Sequence, residues 1–91
     1  MEVEIVKKLS TYKQNIWNDF LKKADLTIDG LPEETVLIWD DEDLIATGSR
    51  DENILKYIAV DPKRQGEGLT ATIITSLKSE AFKEGYSHLF L

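Results

Sequence analysis

The sequence predicts a single α/β domain of the α+β kind, with secondary structure in the order β-α-β-β-β-α-β. Three observations lead to this prediction. Two segments repeat apolar residues at helical spacing, five shorter segments are rich in β-branched and other apolar residues, and turn-forming residues separate them. The chain has 91 residues, so we expect one domain over residues 1–91 that builds one hydrophobic core.

The first predicted elements are a strand over residues 3–9 and a helix over residues 11–24. Thr11 and Gln14 fit a capping box, in which each side chain satisfies a free backbone N–H at the start of a helix. The apolar residues that follow recur at the spacing of one helical face. These residues are Tyr12, Ile16, Trp17, Phe20, Leu21 and Ala24.

Three strands are predicted in the middle of the chain, where they form an antiparallel meander. Residues 35–39 and 44–49 flank an acidic turn at 40–43, which is typical of a hairpin. A second turn at 50–53 leads into a third strand over residues 54–60. Alternation along this strand predicts two faces. One carries Ile54, Lys56, Ile58 and Val60, and the other carries Leu55, Tyr57 and Ala59.

The last two predicted elements are a helix over residues 68–84 and a strand over residues 87–91. Gly85 is expected just beyond the helix, where glycine accepts the left-handed conformation. The passage from strand 54–60 through the helix to strand 87–91 is a βαβ unit, whose two strands are expected to be parallel. The predicted sheet is therefore mixed.

Composition excludes several classes of function. The net charge is −6, with 17 acidic and 11 basic residues, so no nucleic-acid partner is expected. There is no cysteine, which excludes disulfides and thiolate chemistry, and a single histidine, His88, excludes a multi-histidine metal site within the chain. No apolar run approaches the ~20 residues of a membrane span. With an acidic start unlike a signal peptide, we expect a cytoplasmic protein without a membrane partner or a metal.

The turn at residues 61–68 carries the chemical signal of the sequence. Gly66 and Gly68 stand directly before the second helix, where glycine permits close approach of a ligand to the backbone. The first N–H groups of a helix attract phosphates, and Lys63 and Arg64 add positive charge, with Arg64 able to offer a bidentate fork. The simpler alternative is that the glycines serve turn geometry alone and that the two basic residues are an ordinary solvated surface. Neither the Rossmann nor the P-loop fingerprint fits the turn.

This turn resembles the signature of the GNAT superfamily of acyl-CoA-dependent acyltransferases, Q/R-x-x-G-x-G/A after a strand that ends in V-x-P. Residues 60–62 read Val-Asp-Pro and residues 65–70 read Gln-Gly-Glu-Gly-Leu-Thr. Thr70 departs from the pattern, because the family has Gly or Ala there. The resemblance implies a GNAT-like fold that lacks the C-terminal strands and helix of the full fold.

A narrower resemblance covers residues 35–91. The segments 44–49, 58–60, 65–70 and 88–91 are similar to the N-terminal GNAT-like region of the citrate lyase ligase family. Members of that family use ATP and acetate to acetylate the thiol of a prosthetic group, and their adenylating chemistry belongs to a downstream domain with an H-x-G-H motif. This sequence has no such motif. The resemblance therefore implies that the segment cannot perform the ligase reaction alone.

The GNAT resemblance implies a binding site for acetyl-CoA or coenzyme A. Backbone N–H groups of the turn would hold the pyrophosphate, and the end of the third strand would pair with the pantetheine arm like an added strand. The implied cofactor-binding residues, with the two basic residues of the turn, are Ile58, Ala59, Val60, Lys63, Arg64, Gln65, Gly66, Glu67, Gly68, Leu69 and Thr70.

No residue is assigned a catalytic role from the sequence. Glu52 and Asp61 flank the third strand and lack a distinctive setting, and Tyr57 is expected to pack on the sheet. Tyr86 is not placed in a general-acid role. His88 lies between apolar residues and is expected to be a satisfied structural histidine.

The predicted element order ends before two further strands and a helix of the full fold. Two explanations are open: the segment is the N-terminal domain of a longer protein, which we favour, or a second chain supplies the missing half. The free edge at residues 87–91 predicts self-association. Three functions are weighed: an acetyltransferase domain acting on an unknown amine or thiol, a non-catalytic module that recognises phosphopantetheine or a protein partner, and a structural domain without a ligand.

Overall fold

The structure, a computed structural model, describes residues 1–90, which form a four-stranded antiparallel sheet in the order β1-β2-β3-β4 with one helix on each face. The predicted order of elements is confirmed through the second helix. The elements are β1 (Glu2–Val6), α1 (Thr11–Lys23), β2 (Glu34–Asp40), β3 (Asp43–Asp51), β4 (Ile54–Val60), a 3-10 turn (Pro62–Arg64) and α2 (Leu69–Lys83).

The N-cap of helix α1 lies one residue earlier than predicted. Ser10, not Thr11, is the N-cap, and its hydroxyl accepts a hydrogen bond from the Lys13 N–H at 3.3 Å. The predicted Thr11–Gln14 capping box is therefore wrong. Ser10 has the same capping chemistry as Thr11 and an extended backbone, so it satisfies the free N–H of the first turn one position upstream.

Each helix covers its own hydrophobic core. The core under α1 buries Trp17 and Leu21, which is the predicted inner face of that helix, whereas Tyr12 is 73% exposed. The core under α2 is built by Leu69, Ile73 and Leu77 of that helix with apolar residues from all strands except β1. The centre of the sheet is therefore buried on both sides, as expected when a helix packs on each face.

Strand β4 contains a bulge that breaks its predicted alternation. Tyr57 has a positive φ of 53°, and the pairing with β3 shifts there, because Thr47 faces Ala59 while Ser49 faces Lys56. Leu55 consequently packs in the core under α2, as Ile58 does, although the two are three residues apart. The prediction that Leu55, Tyr57 and Ala59 share one face is wrong, since an extra residue in a strand reverses the alternation beyond it.

Gly48 of β3 allows α2 to lie close to the sheet. A β-carbon at this position would overlap the Cγ2 atom of Ile73, which is fully buried in α2. Because the absence of a side chain lets the helix approach, Gly48 sets the distance between α2 and β3. Since α2 is the most extensive helix contact of β3, the position of its N-terminus depends on this packing.

Replacing Gly48 with Ala is expected to destabilise the domain by about 1–3 kcal/mol through overpacking. Urea unfolding followed by circular dichroism measures this change. In a double-mutant cycle with Ile73→Ala, the two losses should be less than additive, because removing the Ile73 side chain makes room for the new methyl group. Additive losses would show that the contact between these two positions does not limit the approach of α2.

The buried polar group of the sheet centres on Arg50, whose side chain is 0% exposed. Its Nε atom donates to Glu34 Oε1 at 2.8 Å, its NH2 group donates to Glu84 Oε2 at 2.6 Å, and its NH1 group donates to the Glu52 carbonyl at 2.8 Å. The prediction of a turn over residues 50–53 was too long, since β3 continues through Asp51. Arg50 stays in the strand because these partners satisfy its guanidinium inside the fold.

The end of the chain corrects the predicted mixed sheet. Gly85 follows α2 with a φ of 97°, as predicted, but residues 87–90 form no strand. Phe90 alone makes a bridge to Ile54, and this bridge is parallel. The predicted parallel direction relative to β4 is therefore right at that one pair. The predicted strand 87–91 is not formed over residues 87–90, because successive residues there do not pair with β4. Leu91, also predicted in that strand, lies outside the described residues.

Candidate functional site

A cleft of about 700 Å³ opens between the end of β4, the turn that follows it and the first turns of α2. Nine of the eleven residues predicted from the sequence line it, together with Ala71 and Ile74, which were not predicted. The eleven lining residues are Ile58, Ala59, Val60, Arg64, Gln65, Gly66, Gly68, Leu69, Thr70, Ala71 and Ile74. Lys63 and Glu67, which were predicted, do not line the cleft. Residues four apart lie on the same face of a helix, so the spacing from Thr70 to Ile74 could have identified the missed part of the lining.

The floor of the cleft presents a run of backbone donors. Within residues 1–90, the N–H groups of Gly66 and of residues 68–71 line the cleft and have no hydrogen-bond acceptor in the protein, whereas the Gln65 N–H closes the 3-10 turn and Glu67 lies outside the cleft. The last three of them belong to the first turn of α2, which has no side-chain cap. Five free donors at the positive end of a helix can accommodate an extended anion.

Two glycines give this run its curvature. Gly66 and Gly68 have φ values of 90° and 76°, and Gly68 is the N-cap of α2 in the left-handed conformation. A β-carbon at either position would have no neighbour within 4 Å, so the space beside both glycines is open. Glycine is therefore required here by backbone conformation rather than by crowding within the protein. The open space leaves the donors accessible from the cleft.

The wall of the cleft is the free edge of β4. The Asp61 N–H donates to the Ile45 carbonyl at 2.8 Å, so the backbone of Asp61 faces β3. Because successive backbone groups of a strand alternate in direction, Val60 turns its N–H and C=O groups away from β3, and Ile58 turns its C=O group the same way. These groups are free to pair with an extended ligand lying beside the strand.

The Arg64 side chain is held by carboxylates and is not free to reach out as predicted. Its NH1 group donates to Asp40 Oδ2 at 2.6 Å, and its Nε and NH2 groups donate to the two carboxylate oxygens of Glu67 at 2.9 and 3.3 Å. Hydrogen bonding from Arg64 lowers the pKa of Asp40, and the same contacts raise the pKa of Arg64. The predicted bidentate fork of Arg64 is therefore directed at Glu67 rather than into the cleft.

The candidate bases and acids of the sequence lie outside the cleft. The Asp61 carboxylate accepts a hydrogen bond from the Lys63 N–H at 2.9 Å, which caps the 3-10 turn. Glu52 occupies the β3–β4 turn with a φ of 54°. The Tyr57 hydroxyl accepts from the Asp29 N–H at 2.8 Å, and its ring packs in the core under α1, as expected. None of these groups is placed for acyl transfer in the cleft.

Tyr86 and His88 also lie away from the cleft. Tyr86 is half-buried, and its burial raises the pKa of its hydroxyl, as do the nearby carboxylates of Glu52 and Glu33. The His88 side chain is exposed, so the prediction of a satisfied structural histidine is wrong. The chain leaves α2 at Gly85 and runs along the surface here, where Tyr86 and Leu89 are partly buried and Phe90 bridges to Ile54.

Two further classes of site are absent from residues 1–90. No group of three or more His, Asp or Glu side chains is arranged to hold a metal ion. Neither α1 nor α2 has the length and the apolar character that a bilayer crossing requires.

The arrangement of sheet and helices recurs in solved acetyltransferase structures. An aminoglycoside acetyltransferase from an uncultured soil sample, solved with sisomicin, superposes with a TM-score of 0.74 over 98% of this chain and 74% of its own, at 10% identity. A GCN5-related N-acetyltransferase from Kribbella flavida matches 91% of this chain and 37% of its own, with a TM-score of 0.61 and 18% identity. The chain has the GNAT fold.

At the level of sequence, this GNAT-fold chain resembles citrate lyase ligase. It is 35% identical to the ligase of Escherichia coli K12 over 86 residues, which are 94% of this chain and 24% of that protein. The chain thus spans about a quarter of the length of the curated relatives it matches. No protein-family model matches it. The chain therefore has a GNAT-like fold, and its sequence is similar to part of citrate lyase ligase.

Proposed function

We propose that this GNAT-fold domain binds acetyl-CoA and transfers its acetyl group to an amine or a thiol. The observation that carries the proposal is the set of five free N–H groups, those of Gly66 and of residues 68–71, at the head of α2. A pyrophosphate is an extended anion, and such donors bind it without side-chain charge. The outward backbone groups of Ile58 and Val60 would pair with the amides of the pantetheine arm.

In this proposal the domain acts by positioning the thioester. A ligand whose pyrophosphate lies on the turn and whose arm follows β4 brings its thioester toward the part of β4 near the Tyr57 bulge. Fixing the thioester beside an acceptor lowers the entropic part of the barrier. The attacking amine or thiol must also lose a proton. We assign no residue to that step.

The alternative function is recognition without catalysis, as a module that binds phosphopantetheine and guides a carrier to a ligase domain. One observation favours it: the lining of the cleft, within residues 1–90, contains no His, Asp, Glu or Tyr. Its one charged residue, Arg64, is paired with two carboxylates. A site of this composition binds an anion and an arm but lacks an evident proton acceptor. The similarity to citrate lyase ligase is compatible with this role.

Binding is tested by calorimetric titration of acetyl-CoA into the wild type and the Gly68→Trp variant. The indole would fill the open space beside the free donors, so binding is expected to fall by at least about 30-fold, a loss of roughly 2 kcal/mol. Gly30→Trp is the matched control. Gly30 also has a positive φ, 91°, and no neighbour within 4 Å of a β-carbon, but it does not line the cleft.

The control separates loss of the site from strain in the backbone. Equal binding by both tryptophan variants and the wild type would place acetyl-CoA elsewhere, and no heat with the wild type would refute the binding proposal. Release of free CoA in the presence of amines or of a phosphopantetheine thiol then separates catalysis from recognition. Binding without turnover for any acceptor would favour the recognition module.

Two further parts of the proposal concern the cellular location of the domain and its self-association. The absence of cysteine suits a reducing compartment, so we place the domain in the cytoplasm. Self-association is proposed through the edge at residues 87–91, since in its described part, residues 87–90, only Phe90 bridges to β4. Light scattering at high protein concentration measures self-association.

A further inference from the structure

Three charged side chains join the turn at residues 61–68 to the β2–β3 hairpin, and we call them the Asp40–Arg64–Glu67 clamp. Asp40 is the last residue of β2, while Arg64 and Glu67 belong to the turn between β4 and α2. The three guanidinium nitrogens all donate to the two carboxylates, at distances from 2.6 to 3.3 Å. A planar guanidinium held at both ends fixes the relative position of the groups it joins.

We propose that Arg64 is a positioning residue, whose clamp holds the run of free N–H groups in the conformation that binds an anion. This inference rests on the proposed function, since it concerns how the same turn is prepared for its ligand. The turn has little else to hold it. Residues 65–68 are exposed, and within residues 1–90 the N–H groups of Gly66 and Gly68 have no acceptor, while the Gly68 carbonyl accepts from the Thr72 N–H at 3.2 Å. Arg64 therefore connects to the sheet a segment that has few hydrogen bonds of its own.

The charges of the clamp are unfavourable for direct attraction of a phosphate. Two carboxylates and one guanidinium leave the group with one net negative charge beside an anion site. If charge alone decided the affinity, replacing Asp40 or Glu67 with a neutral residue would strengthen phosphate binding, because like charges repel each other. A mechanical role accounts for carboxylates in this place, since each of them restrains one side of the Arg64 guanidinium. Without these restraints, ordering the turn on binding would cost conformational entropy.

The two roles predict opposite effects for the same substitutions. If the clamp positions the turn, Asp40→Asn and Glu67→Gln each weaken acetyl-CoA binding by about three- to tenfold, the range of modest ion-pair contributions within a network. If charge dominates, both variants bind more tightly than the wild type, because each removes a negative charge. Glu42→Gln is the matched control, since Glu42 lies in the same hairpin but makes no hydrogen bond within residues 1–90. Unchanged or tighter binding by both clamp variants overturns the proposal.

A second measurement tests the clamp without any ligand. Trypsin must take the Arg64 side chain into its specificity pocket to cut between Arg64 and Gln65, so the clamp has to open first. Asp40→Asn and Glu67→Gln are expected to speed this cleavage by about threefold or more, with Glu42→Gln at the wild-type rate. Mass spectrometry identifies the cut, and cleavage after Arg50, whose side chain is 0% exposed, reports any general loss of stability.

The two measurements keep the two proposals apart. If the wild type does not bind acetyl-CoA, the proposed function fails, while the cleavage rates still decide whether the clamp holds the turn. If the wild type binds and both clamp variants match it in affinity, the clamp proposal fails and the proposed function stands.

Discussion

The Arg50→Met variant is expected to lose about 3–5 kcal/mol of unfolding free energy, which is the cost of breaking a buried ion pair. Glu34 is 2% exposed and would be left inside the sheet without its partner. Glu84 and the Glu52 carbonyl would also lose their donor. Since a domain of this size is stable by about 5–15 kcal/mol, much of its stability depends on this one guanidinium. Urea unfolding at neutral pH measures the loss.

The control for Arg50 removes both buried charges together. The double variant Glu34→Leu/Arg50→Met leaves no isolated charge in the sheet, because the side chains of Glu33 and Glu84 are 48% and 33% exposed and can be hydrated. It should therefore be more stable than Arg50→Met alone. A double variant that is less stable than the single one would contradict this account. The result bears on the cleft, since Arg50 fixes the C-terminal end of α2 to the sheet.

The elements were predictable because each is specified by residues near one another in the chain. Strand β4 was predicted over its observed range, and α2 differs from its prediction by one residue at each end. The αL residue Gly85 was placed correctly because the end of a helix and its glycine are separated by two residues only. Local spacing is sufficient for such features.

Features that depend on distant partners were not predictable in the same way. Arg50 was assigned to a turn because its residue type is usually exposed, and its partners Glu34 and Glu84 lie 16 and 34 positions away. The Tyr57 bulge is a mismatch between two strands, so the sequence of β4 alone does not contain it. The same holds for Gly48, whose role is defined by Ile73 on another element.

The candidate site shows the same difference between features set by nearby residues and features that depend on distant partners. Gly66 and Gly68 were identified from their place before a helix, and the structure gives both a positive φ. The availability of their N–H groups required the hydrogen bonds of the whole turn. Arg64 was expected to offer a fork to a phosphate, whereas its fork is occupied by Glu67 and Asp40. A pattern of charges shows which pairs are possible, and only the fold shows which pairs form.

Replacing Trp17 with Ala is expected to cost about 3–5 kcal/mol, as for other large aromatic residues in a core. Trp17 is 0% exposed, and its indole N–H donates to Thr47 Oγ1 at 3.2 Å. Its ring meets Tyr57 edge to face, with centroids 5.8 Å apart. Because Tyr57 forms the bulge next to Ile58, the loss should also reach the free edge of β4. Thermal and urea unfolding measure the first effect.

The effect on the β4 edge separates Trp17 from an ordinary core residue. Leu21 is also fully buried under α1, and Leu21→Ala should cost about 2–5 kcal/mol without touching the bulge. At a temperature where both variants are folded, Trp17→Ala should bind acetyl-CoA more weakly than Leu21→Ala does. Trp17→Phe keeps an aromatic ring beside Tyr57, so its affinity should stay near that of the wild type, although its stability falls. Equal affinities for Trp17→Ala and Leu21→Ala would show that the bulge holds its conformation without the indole.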